Sequence, residues 1–296
     1  MSNIQITENG SGKYSPEWFY SESQTPEWIS FAHKADELRE NFINLFGIER
    51  LKSLSGKDLL TSLFYNDEGT KTNLCYRLEM DKDIREVFGS ISGGAAYKFG
   101  LFYHKKNQSW TCGSPLKPIH LTEDEAIQKA EEMRNDLVEG AEIISSFGPL
   151  DSEKDYEQLY KQLEHIPGIN MVWRMKYYQM LFPTLFAPFY GQDIQLRVLH
   201  FLNQKPSDIP FIRMGQISLY ARKCNVPGVV FAHIYGKNVG YTNETNDSDT
   251  NTLSDKKHKT HYWMYTVFDD KSWNECQQKG IMVLGMDDIG CLLYTS

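Results

Sequence analysis

The stretch 173–190, W-R-M-K-Y-Y-Q-M-L-F-P-T-L-F-A-P-F-Y, constrains the fold of this chain more than any other. Trp173, Tyr177, Met180 and Leu181 recur at the i, i+4, i+7, i+8 spacing of one helix face. Pro183 follows, and a proline ends a helix because it lacks an amide hydrogen and clashes with the preceding turn. The pattern therefore predicts a helix that ends before Pro183 and packs its aromatic stripe on a core.

The same stretch carries cations and rings that lie off this stripe. Arg174 and Tyr178 point to other sides of the predicted helix. Two interpretations stay open: a docked helix with two solvated cations, or a basic, aromatic surface for nucleic acid. In the second, Arg174 and Lys176 contact phosphates, while Tyr177 or Tyr178 stacks on bases where strands separate.

Positive charge is concentrated in one part of the chain. The 296 residues carry a net charge of −8, but residues 165–237 hold eight cations against two acids, a net of +6 that leaves −14 elsewhere. An acidic body with one basic module suits a phosphate-binding protein, although chance clustering on a solvated face gives the same composition. Within this module we also expect Arg213, Arg222 and Lys223 to contact phosphates.

Composition divides the chain into five segments and predicts an α+β fold class. Residues 1–26 are polar, which predicts a flexible lead-in. Residues 27–147 predict an α+β domain, and residues 150–240 predict a basic, mainly helical domain. Residues 241–260 have almost nothing to bury and predict a linker, and residues 261–296 follow a strand, helix, strand pattern.

Helix signals in the first domain are local and specific. Apolar residues recur from Trp28 to a stop at Gly47, and a shorter helix is predicted around 59–64. Thr122 is followed three residues later by Glu125, which is a capping box at the start of a third, longer helix.

Strands are predicted between these helices. Residues 73–80 and 95–104 are rich in Tyr, Phe and Leu and are separated by glycines, which is typical of strands. The polar turn 105–108 predicts a hairpin between 97–104 and 109–112. Glycines in the intervening loop are expected to supply positive φ angles.

Residues 216–236 fit a helix-turn-helix pattern. Its inward positions are Ala221, Val226, Phe231 and Ile234. Asn225 takes the left-handed turn conformation. The exposed positions of the second helix, which would enter the major groove, are Val229, Ala232 and His233. These are poor base readers, so the pattern favours two packed helices over a DNA-reading element, with Arg222 and Lys223 available for phosphate.

Catalytic signatures are missing from the sequence. No glycine loop ends in G-K-[ST], the pattern that binds nucleotide phosphates and magnesium, and the five cysteines are far apart with no C-x-x-C pair. We therefore expect no metal and no catalytic residue here. An enzyme in the first domain stays an alternative that rests only on the glycine-rich residues 88–100. With neither a signal peptide nor a membrane-length apolar run, a cytoplasmic location is expected.

Three segments together resemble a known family. V-W-R-M-K-Y-Y-Q-M-L-F-P in 172–183 resembles a segment in the regulatory halves of McrB-like restriction NTPases, and 73–102 (N-L-C-Y-R-L-E, then F-G-S-I-S-G-G-A-A-Y-K-F-G-L-F) is similar to a module ahead of it. Residues 262–292 resemble the opening of an EVE domain, a PUA-like barrel that receives flipped modified bases in its relatives. Met286 and Cys291 stand where such domains usually have an aromatic and an acid.

The resemblance implies the DNA-recognition and regulatory part of an antiviral, modification-dependent restriction system. Its AAA motor, which uses GTP or ATP with magnesium, would lie beyond these residues, as would the end of the truncated, PUA-like segment 261–296. No cofactor is expected in the fragment itself. The implied partners are DNA with modified bases, a nuclease subunit and an oligomer formed through the motor, with no membrane. The alternative is a protein-interaction scaffold that holds a partner nuclease or an oligomeric ring.

Overall fold

The computed structural model describes residues 14–66, 71–92 and 96–239. Its helices are α1 Pro16–Ser23, α2 Pro26–Phe46, α3 Ile48–Ser53, α4 Gly56–Leu63, α5 Leu74–Glu79, α6 Lys82–Phe88, α7 Glu123–Ser146, α8 Glu153–Leu163, α9 Val172–Leu181, α10 Gln192–Phe201, α11 Pro210–Lys223 and α12 Gly228–Val239. A 3-10 turn, Ala96–Phe99, precedes the strands β1 Leu101–His104, β2 Ser109–Ser114 and β3 Lys117–Leu121. Within these ranges no helix has the length and apolar character needed to cross a membrane.

The start of the described chain is helical, which corrects the predicted flexible lead-in at residues 16–23. Ser15 caps α1 by accepting from Trp18 N, and Pro16 occupies the first turn, where a missing amide hydrogen costs nothing. Phe19 is fully buried, and its ring centroid lies 4.7 Å from that of Phe231 on α12. The mainly polar composition of residues 1–26 does not indicate that Phe19 is buried.

The sheet is a three-stranded antiparallel meander in the order β1-β2-β3. The predicted hairpin is confirmed, with Leu101 opposite Cys112 and His104 opposite Ser109. The third strand was not predicted. The strand expected at 73–80 is wrong, because these residues form α5, which Asn73 caps by accepting from Tyr76 N. The strand expected at 95–104 is confirmed only from Leu101 onward.

The long helices agree with the sequence signals. α2 ends before Gly47, and α4 covers most of the predicted shorter helix. The capping box at α7 is complete, because Thr122 accepts from Glu125 N while the Glu125 carboxylate accepts from Thr122 N. α7 packs on α3, α4 and the sheet, and it joins the strands to the helices that follow.

One hydrophobic cluster runs through the described residues from both predicted domains. Residues 1–245 group as one compact unit, while a second unit, 246–296, lies outside the described residues together with the predicted linker and EVE-like segment. The turn between α7 and α8 therefore does not separate two cores. Leu150 within it is itself buried.

The second half is helical, as predicted, and contains the expected helix pair. α11 and α12 pack together, and Asn225 between them has a φ of 54°, the left-handed conformation expected for the turn. Ala221, Val226, Phe231 and Ile234 are buried. The pair is thus confirmed as packed helices.

Candidate functional site

The helix α9 lies inside the core. Residues 173–180 are all buried. Arg174 is 3% exposed, donates to Asp136 Oδ2 at 3.4 Å and lies 5.3 Å from the Trp173 ring centroid. Because Asp136 belongs to α7, an acid of the predicted first domain pairs with this cation.

Lys176 is fully buried on the same helix. Its Nζ donates to Leu78 O at 2.8 Å and to Gly89 O at 2.6 Å, so it joins the C-terminal ends of α5 and α6. Burial, together with a smaller effect of the Arg85 cation, lowers the pKa of Lys176 to about 7, and Asp81 acts in the opposite direction. This ammonium is a structural cap for two helices.

The two tyrosines proposed for base stacking are also internal. The Tyr177 hydroxyl donates to Phe46 O at 2.9 Å, and the Tyr178 hydroxyl lies 3.5 Å from Asp136 O. Burial raises the pKa of both hydroxyls. Neither ring has a face open to a base.

Arg213 closes the loop between α10 and α11. Its Nε donates to Gln195 Oε1 at 3.0 Å, and its Nη1 donates to Ser207 O at 2.9 Å and Asp208 O at 3.1 Å. Burial lowers the pKa of Arg213. With the side chain 4% exposed, this cation holds the loop in place.

Arg222 stays partly exposed. Its Nη1 donates to Tyr156 OH at 3.1 Å and Thr184 O at 2.9 Å, and its Nη2 donates to Leu150 O. These partners take three of the five N–H groups of the guanidinium. Lys223 beside it is exposed.

The structure therefore corrects the predicted interface. Five of its seven residues, Arg174, Lys176, Tyr177, Tyr178 and Arg213, are interior and do not form a shared surface. The composition that indicated a basic patch instead reflects buried cations that bind backbone carbonyls or, for Arg174, the Asp136 carboxylate, because a buried donor needs an acceptor. The positions expected to face the major groove are not exposed either. Val229 is buried, and Ala232 and His233 are half-buried. His233 Nε2 donates to Val87 O at 2.8 Å.

Side chains from three other parts of the chain cap the C-terminal end of α6. Val87 O accepts from His233, Phe88 O accepts from the Tyr190 hydroxyl at 2.8 Å, and Gly89 O accepts from Lys176. The last carbonyls of a helix have no partner within it, so these three contacts satisfy them. Gly89 has a φ of 78°, which a glycine adopts readily.

Two clefts flank this helix end, along the pair α2–α12. The first, here called the basic cleft, has a volume of about 600 Å³ and is lined by Arg39, Asp36, Phe88, Thr184, Arg222 and Gly228. Arg39 Nε is buried and has no hydrogen-bond partner. α12 begins at Gly228, so its first amides, the positive end of the helix dipole, lie at the same cleft.

The second, here called the aromatic cleft, lies at the other end of this helix pair. It has a volume of about 500 Å³, and its lining includes Trp28, Val87, Pro188, Tyr190, His233 and Lys237. Lys237 Nζ lies 5.3 Å from the Trp28 ring centroid and pairs with Glu27 Oε2 at 2.9 Å.

Neither cleft is evident from the sequence. Trp28 and Arg39 belong to a helix whose periodicity predicts a core face, and nothing local distinguishes a residue at the rim of that face from one at its centre. Tyr190 stands at the end of the aromatic stretch and was not singled out.

No group of His, Cys, Asp and Glu suited to a metal ion occurs in residues 14–66, 71–92 and 96–239. Cys75, Cys112 and Cys224 are free thiols. Burial raises the pKa of the Cys224 thiol to about 12. No protein-family model, curated protein or solved structure matches this chain.

Proposed function

We propose that this chain is the DNA-recognition and regulatory portion of a McrB-like, modification-dependent restriction system, and that it contacts the DNA backbone at the basic cleft. The observation that carries the proposal is the Arg39 guanidinium, whose buried Nε has no acceptor, beside Arg222 and the start of α12. The resemblance of 73–102, 172–183 and 262–292 to that family supplies the biological setting.

The chemistry of the basic cleft suits a phosphate. Guanidinium groups bind phosphate oxygens through paired N–H donors, and the described contacts leave two donors on Arg222. Helix N-termini add backbone amides and a partial positive charge. Asp36 lines the same cleft and reduces its formal charge to +1, so binding should be weak and strongly dependent on salt.

The test is duplex DNA binding, measured by fluorescence anisotropy between 50 and 200 mM salt. Arg39→Gln should weaken binding severalfold and lower the slope of log affinity against log salt by about one, because one phosphate contact is lost. Lys34→Gln, a matched charge removal at an exposed position of α2, should change neither quantity. Equal binding by wild type and Arg39→Gln would exclude the basic cleft as the contact site.

A second candidate function is a protein-interaction scaffold that holds a partner nuclease or an oligomeric ring. The observation that favours it is that Lys176, Arg213 and Arg222 all hold backbone carbonyls, which fixes neighbouring helices and loops of the described residues against one another. Affinity purification separates the two functions. A scaffold keeps its nuclease partner in Arg39→Gln, whereas a nuclease bridged by DNA is lost. In the restriction-system proposal, GTP or ATP and magnesium bind the motor, outside the present chain.

A further inference from the structure

The aromatic cleft is held in shape by contacts behind its walls. Tyr190 is fixed by its bond to Phe88 O, and Gly89 by its bond to Lys176. On the other side, His233 is fixed by Val87 O. A cleft of about 500 Å³ with fixed, mainly apolar walls has the size and character of a small-molecule site.

The charges around this cleft select against a cationic ligand. The ammonium of Lys237 lies over the Trp28 ring, and that of Lys176 lies 5.7 Å from the Tyr190 ring centroid. The Trp28 wall therefore already has a cation on the ring, so a second cation would be repelled there. Lys237 gives two N–H contacts to Glu27 and keeps a third donor, and its pair with Glu27 is exposed and therefore weak.

His233 supplies a hydrogen-bond acceptor. Its Nε2 must carry the proton, because the Val87 carbonyl it contacts can only accept. Burial lowers the pKa of His233, which keeps the ring neutral at pH 7 and leaves Nδ1 as an acceptor. The cleft thus combines flat apolar walls, one ammonium and one imidazole acceptor.

We propose that the aromatic cleft binds a small planar ligand of two fused rings that carries one ring N–H and one anionic group. The rings lie in the cleft that Trp28, Pro188 and Tyr190 help to line, the N–H donates to His233 Nδ1, and the anion accepts from Lys237. An indole carboxylate and a guanine mononucleotide share this chemistry. This site is separate from the basic cleft, and the proposal does not rest on the proposed DNA contact.

Isothermal titration calorimetry on the whole chain tests the proposal with defined compounds. Indole-3-acetate should bind, neutral indole should bind about three- to tenfold more weakly, and the cation tryptamine weakest of all. Guanosine monophosphate, which has a ring N1–H, replaces indole-3-acetate in a parallel titration, and whichever binds more tightly identifies the source of the ligand. The absence of binding by both anions at about 1 mM, or equal binding by tryptamine, would overturn the proposal.

Substitutions in the aromatic cleft test whether the ligand binds there. Ala232→Met places a longer apolar side chain in the cleft and should abolish indole-3-acetate binding. Lys237→Gln should reduce the affinity for indole-3-acetate to that for neutral indole, while Lys34→Gln should leave both affinities unchanged. Thermal unfolding of each variant verifies folding, and Lys237→Gln, at an exposed position, keeps the test decisive if Ala232→Met fails to fold. Arg39→Gln should keep full indole-3-acetate binding, which distinguishes a failure here from a failure of the DNA proposal.

Discussion

Lys176 is a lysine whose ammonium lies in the core without a carboxylate bonded to it. Its described partners are the carbonyls of Leu78 and Gly89, which provide acceptors but no full negative charge. Removal from water therefore favours the neutral amine, and the pKa falls from an ordinary value of 10.5 to about 7. Unfolding restores the ordinary value, so this residue links stability to pH.

Replacing Lys176 with methionine should expose this linkage. Between pH 7 and 10.5 the unfolded chain binds a proton at Lys176 that the folded chain lacks, so the contribution of Lys176 to stability rises with pH. The free energy of unfolding of wild type relative to Lys176→Met should increase by about 3 kcal/mol between pH 6 and pH 9. Denaturant unfolding of both proteins at each pH measures the difference.

Two controls accompany this measurement. The difference between the proteins should be flat below pH 6, where Lys176 is protonated in both states. Lys34→Met, at an exposed site on α2, should show no such pH dependence. A constant difference from pH 6 to pH 9 would mean that Lys176 stays charged in the folded protein.

Single residues show which parts of the sequence could be interpreted. Thr122 and Glu125 were predicted correctly because a capping box involves only four consecutive residues. Arg174, Lys176 and Arg213 were misassigned because their partners lie on other elements, up to 98 residues away for Lys176 and Leu78. A local sequence pattern does not show partners so far away in the chain. An aromatic, basic stripe therefore looks the same whether it lies in a core or on a surface.

At the scale of elements, two helix crossings depend on glycines. A Cβ on Gly215 of α11 would collide with the ring of Tyr156 on α8, and one on Gly140 of α7 would collide with the Tyr178 hydroxyl of α9. Tyr156 is fully buried and its hydroxyl donates to Leu185 O at 2.6 Å, so its ring has no room to move. The absence of a side chain at Gly215 sets how closely α8 and α11 approach.

Gly215→Ala should therefore destabilise the protein although alanine favours helices. The clash should cost about 1–3 kcal/mol, more than the roughly 1 kcal/mol that alanine contributes to helix propensity. Gly191→Ala is the comparison, because a Cβ there meets only Ile194 at an ordinary 3.6 Å, so its cost should be limited to the weaker N-cap of α10, below about 1 kcal/mol. Chemical denaturation compares the two, and equal stabilities would show that α8 and α11 shift apart freely.

The helix α5, where a strand was expected, shows why short elements are hard to predict from sequence. Residues 73–80 are rich in side chains that favour strands, yet the segment forms a short helix because Asn73 caps it and Leu74, Cys75 and Leu78 are buried together. Six residues are too few for a helical period to stand out from alternation. The longer helices α2 and α7, at 21 and 24 residues, were predicted correctly because several turns make the helical period distinct.

At the scale of the whole molecule, long-range polar contacts tie the two predicted domains together. Arg222 bonds to Leu150 O, Tyr177 bonds to Phe46 O, and His233 bonds to Val87 O. Together with the continuous cluster of buried side chains, they make separate unfolding of 27–147 and 150–240 costly, because either part alone would expose its half of the core.

Hydrogen-exchange mass spectrometry in increasing denaturant should therefore show one cooperative transition for the described helices. Peptides from α7 and from α11 should lose protection at the same denaturant midpoint. The two helices lie on opposite sides of the predicted boundary. Midpoints that differ beyond experimental error would instead identify two independently folding domains.

The C-terminal end of α6 forms a wall of both clefts, with Phe88 on the basic side and Val87 and Gly89 on the aromatic side. Any occupant that displaces this short helix in one cleft must alter the affinity of the other. Thermodynamic linkage makes such an influence mutual and equal in size. The end of α6, which lines both clefts, thus gives the protein a physical means to couple the binding of two different ligands.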